Sequence, residues 1–352
     1  MSDAPVAQSM LRGILGRMDW FEGLFGFVED DWASTQARFS LEGTTLTSSV
    51  NGRAFDAGHF ETPSIAELRS RVGPPQGRPT VRHVEIGDIL ELHAAQENRD
   101  AMFQVASQLN CLEFADPRET PEDGITAYAS DPTQGPACSL AAAAATVYRN
   151  YFVPVEQDVG QRANRQLNNL SDALALLGPD EAFATVTNGY AFSDTERLQA
   201  SAAALKAAGR DAFIERMRIG VQTGAQVTFS SRFTEPNTQT HVSQAFCSAL
   251  SCGYDRSPRH LWAPLATSVL DAAYEATLLA ARAGVAEGTC SGVVWLTFLG
   301  GGAFGNDPTW IATALARAID LAGDASLEVR IAHHRRVDAV MKDLIDAGTS
   351  AS

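Results

Sequence analysis

The rhythm of apolar and polar positions changes near residue 80, and this change divides the chain into two parts. Between residues 38 and 61, apolar and polar residues alternate between turn residues, which predicts a small β-meander. Its Asn51-Gly52 dipeptide is favoured in two-residue hairpin turns. The apolar spacing over residues 6–18 and 63–72 predicts two short helices.

From residue 80 onward, predicted strands alternate with predicted helices. The strand patterns lie at residues 81–86, 101–114, 218–229, 240–251, 293–299 and 327–332. The helical patterns lie at residues 140–152, across most of 156–217, and at 262–282, 308–319 and 337–345. This alternation predicts an α/β fold of three layers, in which helices cover both faces of a mixed central sheet.

The predicted elements set the domain organisation. The stretch GPPQGRP at residues 73–79 has the composition of a linker. One meander and two short helices bury little core alone, so we expect residues 1–79 to be an α+β extension of the main domain. We place that domain at residues 80–346, with a helical insertion near 156–217.

Charge and cysteine usage exclude several classes of partner. The 352-residue chain has a formal net charge of −15, which disfavours nucleic acid and anionic membranes as partners over a broad surface. Its five cysteines include no CxxC pair, and we find no secretory signal or membrane-length apolar run, so we expect reduced thiols in the cytoplasm. Metal ligands at recognisable spacing are absent, and we expect no metal and no cofactor. The oligomeric state stays open.

Two strand-end or helix-start segments are candidates for binding an anion. The run from Gly292 to Asn306 reads as a buried strand, a glycine turn and the start of a helix. Glycine lets backbone N–H groups approach a phosphate closely, although a tight connection without any ligand has the same pattern. The segment from Gln134 to Ser139, before an alanine-rich helix, is a second possible site.

Polar side chains in and after the 101–114 strand are candidates for ligand contacts or chemistry. The amides of Gln108 and Asn110 either satisfy nearby backbone groups or face a ligand. Glu113 follows them, and Asp123 lies in the long acidic loop at residues 115–133. Either carboxylate could act as a general base, although acidic loop residues are commonly just solvated.

Four of these motifs, in this order along the chain, resemble those of macrodomains, the ADP-ribose-binding fold. They are Gly87-Asp88-Ile89, the strand end at residues 103–110, Gln134 to Cys138, and Gly300 to Gly305. The resemblance covers roughly residues 81–340 and suggests a divergent member near the poly-ADP-ribose glycohydrolase branch. It implies a macrodomain-like fold and ADP-ribose, or an ADP-ribosylated substrate, as the partner.

The resemblance also implies residue roles near the adenine and the distal ribose. Asp88 would accept a hydrogen bond from the adenine amino group, with the Ile89 backbone beside it. Gly135 would belong to the first phosphate loop. Either Gln108 or Asn110 would bond the distal-ribose hydroxyls, and the motif does not choose between them.

The second phosphate loop would supply the remaining contacts. The resemblance implies that its glycine amides hold the diphosphate and that its aromatic residue packs on the distal ribose. The residues concerned are Gly300, Gly301, Gly302, Ala303, Phe304, Gly305 and, as a further contact, Asn306.

The chain also departs from the family pattern. Gln134-Gly135-Pro136 replaces the usual glycine run, and the paired glutamates of poly-ADP-ribose glycohydrolases are absent near either loop. We expect binding of ADP-ribose or a related nucleotide together with hydrolysis of an ADP-ribosyl linkage, for which Glu113 and Asp123 are the candidate catalytic residues. A non-catalytic ADP-ribose reader is the alternative, and an assembly protein without a ligand is a third possibility.

Overall fold

The computed structural model describes residues 19–231 and 233–350, so the helix predicted over residues 6–18 lies outside the described residues. The helices are α1 Trp20–Phe25, α2 Trp32–Ala37, α3 Ile65–Arg71, α4 Ile89–Ala94, α5 Gln134–Ala141, α6 Ala143–Val147, α7 Ser171–Leu177, α8 Thr195–Ala208, α9 Arg210–Arg216, α10 Arg259–Glu287, α11 Pro308–Ala322 and α12 Ala339–Ser350. No described helix has the length and apolar character needed to cross a membrane.

The strands follow most of the predicted positions. They are β1 Phe39–Glu42, β2 Thr45–Ser48, β3 Ala54–Asp56, β4 His59–Glu61, β5 Thr80–Ile86, β6 Met102–Ala106, β7 Pro154–Val155, β8 Asp158–Val159, β9 Thr185–Thr187, β10 Tyr190–Phe192, β11 Gly220–Gln226, β12 His241–Cys247, β13 Val293–Leu296 and β14 Glu328–His334. Short continuous apolar runs, such as that of β13, become strands because the sheet is buried on both faces.

Seven strands form the central sheet, in the order β4-β11-β12-β6-β13-β14-β5. The neighbours from β12 to β5 are parallel, whereas β11 pairs with both β12 and β4 in the antiparallel sense. The sheet is therefore mixed, as the sequence predicts.

Apolar residues on the two faces of this sheet enter two separate cores. Val294 and Leu296 of β13 belong to one core, which is covered by α10 and α11, while Trp295 belongs to the other. This division follows from the period-two alternation of side chains along a strand. The second core contains the N-terminal aromatic residues and the alanine-rich helices α5 and α6. The three-layer α/β prediction is confirmed.

The predicted N-terminal meander is present as the three-stranded sheet β1-β2-β3. The Asn51-Gly52 turn is longer than predicted, because Thr47 pairs with Ala54 and the whole segment from Ser48 to Arg53 forms the connection. Strand β4 leaves the meander and joins the edge of the central sheet beside β11. The domain boundary at residues 79 and 80 stays a prediction.

Two helical predictions are wrong in part. The helix expected over residues 140–152 is interrupted at Ala142, whose φ and ψ are −124° and 62°. Thr228 causes this break, because its hydroxyl accepts the Ala143 N–H at 2.9 Å while its own N–H donates to the Ala141 carbonyl at 2.7 Å. The insertion contains the hairpins β7-β8 and β9-β10 beside its helices, so it is less helical than predicted.

The long acidic loop at residues 115–133 is held by one carboxylate from the N-terminal extension. Glu29 accepts hydrogen bonds from the N–H groups of Ile125 and Thr126, at 2.8 and 2.6 Å. It also accepts the hydroxyls of Thr126 and Tyr151, both at 2.6 Å. The extension therefore orders a loop that leads directly into α5.

Replacing Glu29 by Ala leaves these donors without their acceptor, so we expect the free energy of unfolding to fall by about 2 kcal/mol. Chemical denaturation measures this change, and limited proteolysis should show earlier cleavage within residues 115–133. Asp30→Ala is the matched control, because Asp30 forms a partly exposed pair with Arg38, worth at most about 1 kcal/mol, and otherwise accepts only the Thr35 hydroxyl, at 3.2 Å. Its effect should be the smaller of the two. Equal effects of the two substitutions would contradict the anchoring role.

Candidate functional site

Parallel pairing places the ends of five strands at one edge of the sheet. Cys247 lies opposite Ala106, Leu296 lies opposite Ile331, and His334 lies opposite Ile86. The segments that leave these strands include all four motifs singled out in the sequence. In open α/β sheets, ligands bind beyond this carboxyl edge.

The glycine loop after β13 has a fixed and unusual backbone. Gly300 and Gly305 adopt positive φ angles of 70° and 69°. A Cβ atom on Gly300 would lie 2.4 Å from the Ala249 Cβ, so no other residue fits there without rearrangement. The Asn306 N–H donates to the Gly300 carbonyl at 3.0 Å and closes the loop.

Three consecutive N–H groups of this loop are free to bind a ligand. The amides of Gly302, Ala303 and Phe304 donate to no acceptor within the described residues. Gly302 and Ala303 are exposed, so their N–H groups are accessible. Consecutive unpaired N–H groups form a concave anion-binding surface in many phosphate sites.

Two contacts lock this loop onto the segment that follows β12. The Asn306 side-chain amide donates to the Leu250 carbonyl at 2.8 Å, and the Gly253 N–H donates to the Phe304 carbonyl at 2.9 Å. Asn306 is only 3% exposed, so its side chain positions the loop from within. The loop is therefore preorganised, which lowers the entropic cost of binding.

Three aromatic rings from distant segments meet beside the free amides. The Phe304 ring centroid lies 5.4 Å from that of Tyr190 and 5.7 Å from that of Tyr254. Tyr190 comes from the insertion hairpin β9-β10, and Tyr254 follows β12. Neither tyrosine could be predicted from the sequence, because no local spacing signals a contact between such distant positions.

The predicted adenine-binding segment also lies at this edge, after β5. Asp88 is exposed, and its Oδ1 accepts the Leu90 N–H at 2.9 Å as the N-cap of α4. Ile89 is buried below it. The cap orients the Asp88 carboxylate at the strand end while leaving it accessible to solvent.

The amide side chains of Gln108 and Asn110 are committed to the protein itself. Gln108 bonds both the N–H and the carbonyl of Phe114, at 3.0 and 2.9 Å. Asn110 accepts the Leu112 N–H at 3.1 Å and is fully buried. Gly189 of the insertion hairpin packs against both, since a Cβ there would lie 2.5 Å from the Gln108 Cβ. The amides of Gln108 and Asn110 could either satisfy nearby backbone groups or face a ligand, and in the structure they satisfy backbone groups.

Glu113 lies behind the first predicted phosphate loop in a buried polar cluster. A Cβ on Gly135 would lie 3.1 Å from the Glu113 Cγ and 2.0 Å from the Ala106 carbonyl oxygen. Glu113 is 2% exposed, and its Oε2 accepts the Ser139 hydroxyl at 2.6 Å. Arg149 approaches the same oxygen at 3.5 Å and stacks on Phe246 at 3.7 Å.

Burial raises the pKa of Glu113 to about 7, and Arg149 opposes this shift. Two buried atoms of the pair, Glu113 Oε1 and Arg149 Nη1, have no hydrogen-bond partner among the described residues. A carboxyl group that titrates near neutrality beside a candidate loop is typical of functional sites.

Asp123 lies apart from this buried cluster. It is exposed, and its Oδ2 accepts the N–H and the hydroxyl of Thr120, at 2.8 and 3.0 Å, which caps a short turn at residues 121–123. No hydrogen bond within the described residues joins Asp123 to Glu113. In the same part of the chain, no group of three His, Cys, Asp or Glu side chains is placed to hold a metal ion.

The fold and this edge define an α/β protein with a candidate anion-binding loop. No protein-family model and no curated protein matches the chain. Among solved structures, it is similar to poly(ADP-ribose) glycohydrolase from Deinococcus radiodurans in complex with ADP-ribose, with 12% identity, a TM-score of 0.42, and coverage of 83% of this chain and 92% of that one.

A second similar structure is poly(ADP-ribose) glycohydrolase from Thermomonospora curvata. The identity is 14% and the TM-score 0.41, and the match covers 91% of this chain and 97% of that one. At these identities and TM-scores the likeness says nothing about function.

The close approach at Gly135 gives a test of the first loop. Gly135→Ala places a methyl group against the Ala106 carbonyl, and we expect a loss of about 1–3 kcal/mol in unfolding free energy. Gly302→Ala is the control, because a Cβ there meets no atom within 4 Å, and its effect should stay within about 0.5 kcal/mol. Thermal and chemical denaturation measure both, and an undisturbed Gly135→Ala variant would rule out the close packing described here.

Proposed function

We propose that this protein binds ADP-ribose, or a closely related nucleotide, at the carboxyl edge of its central sheet. The observation that carries the proposal is the row of unpaired N–H groups at Gly302, Ala303 and Phe304, on a loop locked by Asn306. A diphosphate offers several charged oxygens to such donors, and backbone amides bind it without any lysine.

The neighbouring side chains support a ligand that carries a sugar and a base as well as phosphates. Phe304 adjoins the free amides, and together with the partly exposed Tyr254 it forms an apolar wall on which a ribose can pack, with the buried Tyr190 ring behind it. Asp88 lies at the end of β5 with an exposed carboxylate that can accept the adenine amino group. Both roles match those that the resemblance implies.

Hydrolysis of an ADP-ribosyl linkage is the second function that we propose, and Glu113 is the observation that favours it. A general base works best when its pKa lies near the operating pH, and burial brings the Glu113 pKa to about 7. Glu113 Oε1 would take a proton from a water molecule whose oxygen bonds to the anomeric carbon. The bond to the leaving group breaks, and the leaving atom takes a proton from solvent.

The two predicted carboxylates differ in their readiness for this step. Glu113 is buried and its pKa is raised to about 7, whereas Asp123 is exposed and its Oδ2 caps a turn. Glu113 therefore carries the catalytic proposal. We also propose a reducing, cytoplasmic compartment, which is supported by five buried cysteines without a disulfide.

ADP-ribose titration by isothermal calorimetry tests the binding proposal. We expect saturable binding to the unmodified protein and its loss in Gly301→Glu, because a carboxylate at the exposed loop tip repels the diphosphate. Gly73→Glu is the control for the added charge, since Gly73 is also exposed and lies before β5, and it should bind normally. A Cβ on Gly301 would lie 3.3 Å from the Ile311 Cδ1, so thermal stability must show that the Gly301→Glu variant is folded. Absence of binding to the unmodified protein, or equal binding by both variants, would refute the proposal.

Release of free ADP-ribose from an ADP-ribosylated protein tests the catalytic proposal. We expect the rate constant to rise with pH through about 7, because a general base must lose its proton to act. Glu113→Gln should lower the rate by roughly 10²-fold or more while ADP-ribose still binds. If the unmodified protein binds ADP-ribose and releases none from any substrate, the protein is a reader and not a hydrolase.

A further inference from the structure

Nearly all arginines in the described part of this acidic chain have partners. Sixteen of them form ion pairs with carboxylates, and Arg197 bonds the Glu181 carbonyl and the Thr185 hydroxyl. The described arginines whose side chains have no hydrogen-bond or ion-pair partner are Arg216, Arg256, Arg259, Arg335 and Arg336. With a formal net charge of −15, acidic partners are plentiful, so an unpaired guanidinium is an exception that needs a reason.

Four of these five arginines lie at the carboxyl edge of the sheet. Arg256 belongs to the connection from β12 to α10, Arg259 is the first residue of α10, and Arg335 and Arg336 follow β14. The Arg335 N–H donates to the Ile86 carbonyl at 2.9 Å, which places this basic turn beside the end of β5. Four of the five unpaired guanidinium groups within the described residues therefore lie around the predicted nucleotide site.

Arg259 is the one that approaches the glycine loop. Its Nη2 lies 4.0 Å from the position of a Cβ on Gly305. The Asp307 carboxylate caps α11 through the N–H and hydroxyl of Thr309. These hydrogen bonds lower the pKa of Asp307, and Arg259 is close enough to help lower it, but the side chains of Asp307 and Arg259 form no ion pair or hydrogen bond. Arg259 is exposed, so its guanidinium can reach a ligand on the loop.

The position of Arg259 in its helix is unfavourable without an anion. It is the first residue of α10, whose first turn contains no acidic residue. The N-terminal end of a helix carries partial positive charge and repels a cation there by typically a few tenths of a kcal/mol. A bound phosphate would offset both positive charges, and a guanidinium can donate two parallel hydrogen bonds to it.

We infer that Arg259 binds the diphosphate of the ligand together with the free amides of Gly302, Ala303 and Phe304. This inference rests on the proposed nucleotide function and adds to it a charged side chain that selects ligands with a diphosphate group. Arg256, Arg335 and Arg336 make the surrounding edge positive and attract such ligands from solution.

Calorimetric titration with ADP-ribose and with inorganic pyrophosphate tests the inference at several salt concentrations. We expect Arg259→Ala to weaken the binding of both by roughly tenfold or more and to reduce the salt dependence, because one ionic contact is lost. Arg259→Lys keeps the charge and should lose less. Arg216→Ala is the matched control, because Arg216 is also exposed and unpaired but belongs to α9, which takes no part in the contacts of the glycine loop, and it should bind as the unmodified protein does.

The outcomes separate the inference from the proposed function. If the unmodified protein and Arg259→Ala bind ADP-ribose equally, Arg259 has no such role, while the proposed function stands. If pyrophosphate binding depends on Arg259 and ADP-ribose does not bind, the anion site is supported and the proposed nucleotide is wrong. If neither compound binds the unmodified protein, both ideas are overturned. Unchanged thermal stability of the variants shows that each is folded.

Discussion

The parallel alignment of five strands is the constraint on which the candidate site depends. Because β12, β6, β13, β14 and β5 run in one direction, everything that follows their last residues emerges at one edge. Segments near residues 88, 135, 254, 304 and 335 meet there although the chain separates them widely. A slip of one residue in β13 would exchange Val294 and Trp295 between the two cores, so the hydrophobic pattern fixes the register.

Charge and backbone geometry make this edge different from the rest of an acidic molecule. Elsewhere most of the described arginines are neutralised by carboxylates, and buried Asp271 and Glu275 of α10 are paired with arginines of α3, α9 and α11. At the edge, backbone N–H groups and arginines remain without partners. A local anion site is compatible with a strongly negative chain because its donors are fixed dipoles and a few guanidinium groups.

The sequence predicted the parts of the fold that depend on local pattern. Continuous apolar runs predicted the strands, and Asp307-Pro308 predicted the start of α11, which the Asp307 carboxylate caps. The break at Ala142 could not be predicted, because it comes from Thr228, which is distant in sequence. Gln108 and Asn110 were ambiguous for the same reason: only the fold shows that Gly189 packs over them.

The candidate site likewise has features that could be predicted from the sequence and features that could not. The glycine loop is a local feature and could be recognised from its residues. The roles of Tyr190 and Tyr254 could not be recognised, because they depend on contacts with that loop between residues far apart in sequence. The same holds for Arg259, which approaches the loop and has no ion-pair partner. The buried setting of Glu113 likewise depends on Ser139 of α5 and on Arg149, which follows α6.

The central claim, that unpaired amides of the glycine loop bind a nucleotide diphosphate, is tested most directly by nuclear magnetic resonance. Protein labelled with ¹⁵N at glycine and phenylalanine would report the N–H groups of Gly302 and Phe304 while ADP-ribose is added. We expect the signals of Gly302 and Phe304 to shift most and to saturate together, whereas the signal of Gly73 stays in place. Unchanged signals from Gly302 and Phe304 at saturating ADP-ribose would contradict it.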